Sequence, residues 1–195
     1  MTLTWQERID NYRRVIKRPA YIAIEGDWVF GAWSCGQAWQ SANGYYGQYP
    51  GDYLKRMRAL FPEKQRVLHL FSGMVDRSII PGDTVDLRPE LDPTYLDDAQ
   101  TLESVPLEQY DLVMADPPYS AEDADHYGTT WIKRDKVMRA LERVRPGTHV
   151  IWLDQVLPRY RKVAFRRELE IGITRSTGHR VRAVFGFLRV ENPEP

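Results

Sequence analysis

Residues 112–119 read LVMADPPY, and this run constrains the fold more than any other stretch of the chain. Four apolar residues form the end of a buried strand, and Asp116, Pro117, Pro118 and Tyr119 follow without a spacer. Consecutive prolines lack N–H groups and push the residues before them into extended geometry, so they continue neither a ladder nor a helix. The backbone must leave the sheet directly after Ala115. An acid and a flat aromatic are thereby delivered to a strand's carboxyl end, where ligands sit in open α/β sheets. The plainer reading is a stiff strand-ending turn with a surface Tyr.

The chemistry that suits the tetrapeptide is methyl transfer to a conjugated exocyclic amine. Such a nitrogen is a poor nucleophile because its lone pair is delocalised into the ring. Two acceptors on its hydrogens would draw it toward tetrahedral geometry, and the Asp116 carboxylate and Pro117 carbonyl are the pair at hand. Tyr119 would stack on the base face, worth roughly 1 to 3 kcal/mol where base and aromatic ring meet. No strong base is required when the proton leaves after methylation, because placement supplies most of the acceleration.

Together with VLHLFSGM at 67–74, the run resembles class I S-adenosylmethionine-dependent methyltransferases, specifically the DNA adenine and cytosine amino-methyltransferases. The resemblance covers roughly residues 67–190. It implies an α/β, Rossmann-like sheet, mostly parallel with an antiparallel C-terminal hairpin, and S-adenosyl-L-methionine as cofactor. It assigns catalysis to Asp116, Pro117, Pro118 and Tyr119. By position, Phe71, Ser72 and Gly73 inherit the turn that lets the backbone approach the cofactor, Asp86 the acid that grips ribose hydroxyls, and Asp98 the acid that accepts from the adenine amine, with Asp97 as its substitute. Tyr49 and Pro50 hold the place where a preceding helix closes over the methionine end. The chain departs from the pattern at Val75, where a second glycine would stand. Only ten residues separate Gly73 from Thr84, so the usual intervening helix must be very short or missing.

A chain of 195 residues suits one domain with a substantial core. We read residues 1–66 as a helix and hairpin extension and 67–190 as the catalytic core. Lys plus Arg and Asp plus Glu are both 27, so net charge gives no general attraction to nucleic acid. Distribution says more: residues 76–130 carry 14 acids and 2 bases, and residues 131–190 carry 15 bases and 5 acids. A basic last third beside an acidic middle fits one face meeting a phosphate backbone; bases alternating on solvent faces of late strands give the same count. Cys35 is alone, which provides no disulfide or cysteine metal site and points to a reducing cytoplasm. No stretch of 18 apolar residues occurs, so no membrane partner is expected.

In chain order, Thr4 and Glu7 make a capping-box pattern before Trp5, Ile9, Tyr12 and Ile16 at helical spacing. Residues 21–24 and 28–33 read as a hairpin around Glu25-Gly26-Asp27. Of 23 aromatics, 12 precede Val67, which gives this end either a small core or a stacking surface, with the SANGYYGQYP loop and its Tyr45 and Tyr46, and Trp39 just before it, as the functional candidates. Residues 50–61 read as a helix, 67–71 and 84–87 as parallel strands, and His69 as a hydrogen-bonded core residue. After Tyr119 a polar loop with His126 and Tyr127 covers the site, residues 131–144 read as a helix, 150–153 as a buried strand, and 166–174 and 180–190 as the final hairpin.

The resemblance favours adenine N6 in DNA, because the family's cytosine enzymes more often carry Ser at the motif's first position. Duplex DNA would require the base to be flipped out. Only 76 residues follow Tyr119, which leaves little chain for reading a sequence and points to low specificity, to the N-terminal aromatics, or to a protein partner. The alternatives are a base amine in RNA and a non-catalytic binding protein that keeps the fold. A phage or bacterial setting fits so compact an enzyme.

Overall fold

The computed structural model describes residues 2–17, 20–36, 49–118, 132–175 and 181–191. Its centre is the stretch that the sequence singles out. Strand β6 (Leu112–Ala115) lies between β3 (Val67–Leu70) and β7 (His149–Asp154), parallel to both. Beyond β3 come β4 (Asp83–Asp86) and the two-residue β5 (Tyr95–Leu96), also parallel. On the other side β7 pairs antiparallel with β9 (Arg182–Arg189), and β9 pairs antiparallel with β8 (Phe165–Arg175). This is a mixed, mostly parallel α/β sheet with an antiparallel C-terminal hairpin, as the resemblance implies. Its parallel strands follow the doubly wound order, with a reversal between β3 and β6.

The extension does not stand apart. Strand β2 (Trp28–Cys35) pairs in parallel with β8, and β1 (Tyr21–Glu25) closes the hairpin, giving nine strands among the described residues. Helix α1 (Trp5–Val15) starts at Thr4, whose hydroxyl and backbone exchange bonds with Glu7 as the capping box requires. Helix α2 (Tyr53–Leu60) begins three residues later than the apolar spacing suggests, because the chain first turns through Asp52 in the left-handed region. Together α1 and α2 cover one sheet face.

Alternation explains the uninterrupted apolar runs. Val67, Leu112, Met114, Ile151 and Leu153 point to the core beneath α1 and α2. Leu68, Leu70, Val113, Ala115, Val150 and Trp152 point to a second core beneath α3 (Arg134–Ala140). Strands covered on both faces have no polar side to alternate with. Residues 131–144, read as one helix, resolve into α3 and a 3-10 turn at Leu141–Arg143 within the described part. No helix lies between β3 and β4 among the described residues. The connection is held by a turn, with the Ile79 amide donating to the Asp76 carbonyl at 3.3 Å and the His69 ring reaching the Ile80 carbonyl at 3.1 Å.

Two arginines are buried where the sequence reads as a solvated or apolar helix. Arg8 binds the Glu63 carboxylate and the Leu60 carbonyl and lies 4.7 Å from the Phe61 ring centre. Arg56 binds the Tyr12 hydroxyl and covers Trp33, which stacks on Tyr12 at 5.6 Å. These contacts join α1, α2 and the hairpin. In the basic last third, Arg134 pairs with Asp154, Arg161 with Glu142, Arg166 with Glu168 and Arg167 with Glu170. Arg143 and Arg189 bind backbone carbonyls. Arg134, Arg143, Arg161 and Arg189 thus tie elements together, whereas Arg166 and Arg167 pair within β8. No described helix is long and apolar enough to cross a membrane.

Candidate active site

The carboxyl ends of β3, β4, β6 and β7 share one edge of the sheet. Ala115 lies opposite Leu70 on one side and Trp152 on the other, so Asp116 emerges at the β3/β6 crevice beside the loop that follows β3. Asp116 is half-buried, Pro117 buried and Pro118 half-buried. The prolines end β6 at Ala115 as their missing donors dictate. Tyr119, His126 and Tyr127 lie outside the described residues, as do Trp39, Tyr45 and Tyr46.

The loop after β3 leaves the sheet one residue earlier than the apolar run suggests. Phe71 has φ 54° and Gly73 φ 50°. Left-handed backbone is easy for glycine but costs a side-chain-bearing residue roughly 1 to 2 kcal/mol. Two such residues in three fold the chain sharply back across the strand ends. The Ser72 amide then donates to the Val85 carbonyl at 3.4 Å, and the Gly73 amide to Asp86 Oδ2 at 3.1 Å. Phe71, Ser72, Gly73 and Asp86 are therefore brought together.

Asp86 is the last residue of β4 and 7% exposed. Its Oδ1 accepts from Arg88 Nε at 3.1 Å and from the Arg88 amide at 3.2 Å. A bound diol reaching this carboxylate would exchange with the Arg88 side chain. Asp97 and Asp98 follow β5, beside the end of β4, with the Asp97 amide donating to the Asp86 carbonyl at 3.3 Å. Their carboxylates shape the next turn: Asp97 accepts from the amide and hydroxyl of Ser104 at 2.8 and 2.7 Å, and Asp98 from the Gln100 amide at 2.9 Å.

Tyr49 and Pro50 are both buried at the entrance to α2. With Gly51, Asp52 and Lys55 they line one wall of a cleft of about 190 Å³, and Met74, Val75 and Asp76 line the other. The cleft thus joins the start of α2 to the loop after Gly73. Behind it, the rings of Tyr49 and Tyr53 stack at 5.1 Å. Burial, and then the charge of Asp116, push the Tyr49 hydroxyl well above its ordinary pKa; for Tyr53 burial comes first, with Tyr49 and Asp116 adding to it.

Several neighbours of the site carry little sequence signal. Tyr53 sits on a helix's apolar side and reads as core. Arg88 reads as a solvated base, and Leu87 as the last residue of a strand, although its side chain is 46% exposed beside Asp86. Asp154 was readable, since an acid closes the apolar run HVIWLD. Fully buried at the end of β7, it accepts from Arg134 Nε at 2.6 Å, Trp152 Nε1 at 3.1 Å and the Gln155 amide at 2.7 Å. It fastens the start of α3 to the strand beside β6.

No protein-family model matches the chain, and no curated protein is similar to it. Among solved structures, the N-methyltransferase NodS from Bradyrhizobium japonicum WM9 superposes with a TM-score of 0.41 at 10% identity, over 66% of this chain and 87% of that one. A likeness that remote carries no inference about activity.

Proposed function

We propose that this chain is an S-adenosylmethionine-dependent methyltransferase acting on the exocyclic amine of a nucleic-acid base, with adenine N6 in DNA as its first substrate. The observation that carries the reading is the adjacency of two constellations at the reversal of strand order: Asp116-Pro117 ending β6, and Gly73 bonded to Asp86 across the ends of β3 and β4.

The residues present fit the cofactor. Positive φ at Phe71 and Gly73 opens backbone toward the crevice, and Asp86 offers a carboxylate for a ribose diol once Arg88 yields. The cleft beside α2 carries Lys55, Asp52 and Asp76, charges of both signs for an amino-acid zwitterion. When bound, the cofactor supplies an electrophilic methyl group on a sulfonium sulfur that leaves as a neutral thioether. Asp116 and the Pro117 carbonyl accept the two amine hydrogens, freeing the nitrogen lone pair from the ring. After the N–C bond forms, the surplus N–H proton passes to Asp116 and on to water. Pro117 is buried, its φ is locked by its ring and its ψ is held extended by Pro118, so its carbonyl is held in place before substrate arrives.

The same geometry serves a base amine in RNA. Calorimetric titration with S-adenosylmethionine and S-adenosylhomocysteine tests the cofactor half of the reading. The expected result is saturable heat with both and mutual competition. A folded protein with no heat from either would contradict it and favour a binding-only role.

A further inference from the structure

Both oxygens of Asp86 are fully subscribed before any ligand arrives. Oδ2 accepts from the Gly73 amide at 3.1 Å and from Arg88 Nη2 at 3.4 Å; Oδ1 accepts from the Arg88 amide at 3.2 Å and from Arg88 Nε at 3.1 Å. A carboxylate has about four lone-pair positions, so none is left for a further donor. The donors are of two kinds. The amides of Gly73 and Arg88 belong to the chain path and hold the carboxylate in place. Nε and Nη2 belong to one side chain, 20% exposed against 6% for that of Asp86, which can swing toward solvent and take both bonds with it.

A structural ion pair fastens one element to another, and this one does not. Its partners stand two residues apart, just beyond the end of β4, and the bond that ties β4 to the turn after β3 comes from Gly73. What the guanidinium does is occupy. Its two N–H groups form a fork that leaves as a unit, and a ribose presents the matching pattern, two adjacent hydroxyls able to donate to one carboxylate. Resting on the cofactor assignment above, we propose that the Arg88 side chain is an autoinhibitory stand-in for the ribose diol, competing with it for the same two lone pairs of Asp86. In the unliganded protein it keeps a nearly buried carboxylate paired, which averts the penalty of leaving such a group without donors. In return it weakens binding, because the ion pair must open before the diol can bond. The two backbone amides stay on Asp86 throughout, so the turn after β3 keeps its shape while the side chain and the diol exchange.

The test is calorimetric titration of the full chain and of Arg88→Met and Arg88→Lys with two ligands: S-adenosylhomocysteine, and its analogue in which both ribose hydroxyls are replaced by hydrogen. Methionine keeps an aliphatic stem and removes both donors. Arg88→Met should bind S-adenosylhomocysteine about threefold to tenfold more tightly than wild type, the range expected of a partly exposed charge pair. It should bind the analogue no more tightly than wild type does, because a ligand without hydroxyls leaves the ion pair closed. Arg88→Lys, a point charge in place of a fork, should fall between the two for S-adenosylhomocysteine, and carries the comparison alone if Arg88→Met does not fold. Variants that bind S-adenosylhomocysteine as wild type does, or more weakly, would overturn the inference and leave the cofactor assignment intact. So would an equal gain for both ligands, which would assign the effect to space or net charge rather than to shared lone pairs. No heat from any of the folded proteins with either ligand would overturn both.

Discussion

Asp86 Oδ2 accepts a hydrogen bond from the Gly73 amide at 3.1 Å, and this contact, beside the Ser72 amide's bond to the Val85 carbonyl, ties the turn after β3 to the end of β4. An acid that would hold a ribose is also the anchor of the loop that must lie against the cofactor. On the proposed reading, cofactor binding and loop shape meet at the Asp86 carboxylate.

Asp86→Asn should separate the two roles. Its amide oxygen can still accept from Gly73, whereas the charge that faces Arg88 and a bound diol is lost. We expect affinity for S-adenosylhomocysteine to fall about tenfold in Asp86→Asn and further in Asp86→Ala, as loss of charge-assisted bonds predicts. Gly73→Ala forces a side chain into a φ of 50° and should cost about 1 kcal/mol of stability along with cofactor affinity. Calorimetry and urea melts read both effects. Equal affinities for Asp86→Ala and wild type would contradict the assignment.

Arg8 should prove the strongest single link between α1 and the end of α2. It is buried against Phe61 and bonded to Glu63 and Leu60. Truncation strands the buried end of Glu63 and opens a void, so Arg8→Ala should cost about 3 kcal/mol, near the lower end for a broken buried pair, because Glu63 can turn toward water. Arg8→Met, which fills the space without charge, should cost clearly less. The difference in urea midpoint between the two variants checks this; identical midpoints would assign the stability to the ion pair alone.

Acid should destabilise the fold well above the pH at which its carboxylates titrate. Burial lowers the pKa of His69 and of His149 to about 4 from an ordinary 6.5. Both are neutral in the native state; His149 sits 3.6 Å from Glu168 as a neutral imidazole, since burial outweighs the pull of that carboxylate. The unfolded chain takes up protons below about pH 6.5 that the folded chain refuses until about pH 4. Their contribution is complete above that window and is lost as pH falls through it, by a few kcal/mol in all. His69→Gln keeps a donor for the Ile80 carbonyl and does not titrate, so it should remove roughly half of the decline. Melts between pH 7.5 and pH 5 that show no downward trend would contradict the burial assigned to both rings.

The strand-ending acids and the capping box were legible because each obeys a local rule. Asp116 follows a proline-terminated apolar run, Asp86 closes a strand, and Thr4 with Glu7 is a two-residue code. What escaped was set by partners distant in sequence. Tyr95 and Leu96 make a strand only because β4 offers an edge. Arg8 and Arg56 are buried because Glu63 and Tyr12 wait for them, and no helical periodicity reports that. In the basic last third, the charge count alone does not report that Arg161, Arg134, Arg166 and Arg167 pair with Glu142, Asp154, Glu168 and Glu170. The hydroxyls of Tyr49 and Tyr53 were hidden for the same reason: an aromatic on an apolar face looks like packing until its polar atom is found buried with no partner among the described residues.

The central claim rests on Asp116, and the most direct measurement is transfer of a labelled methyl group to unmethylated DNA and, separately, to RNA, with the modified nucleoside identified by mass spectrometry. Wild type should yield methyladenine in DNA. Asp116→Ala should lose transfer by at least about a hundredfold, as expected when a group that positions the reacting nitrogen is removed, while still binding S-adenosylhomocysteine. Transfer by Asp116→Ala at the wild-type rate, or a folded wild type that binds cofactor and modifies neither polymer, would contradict the account.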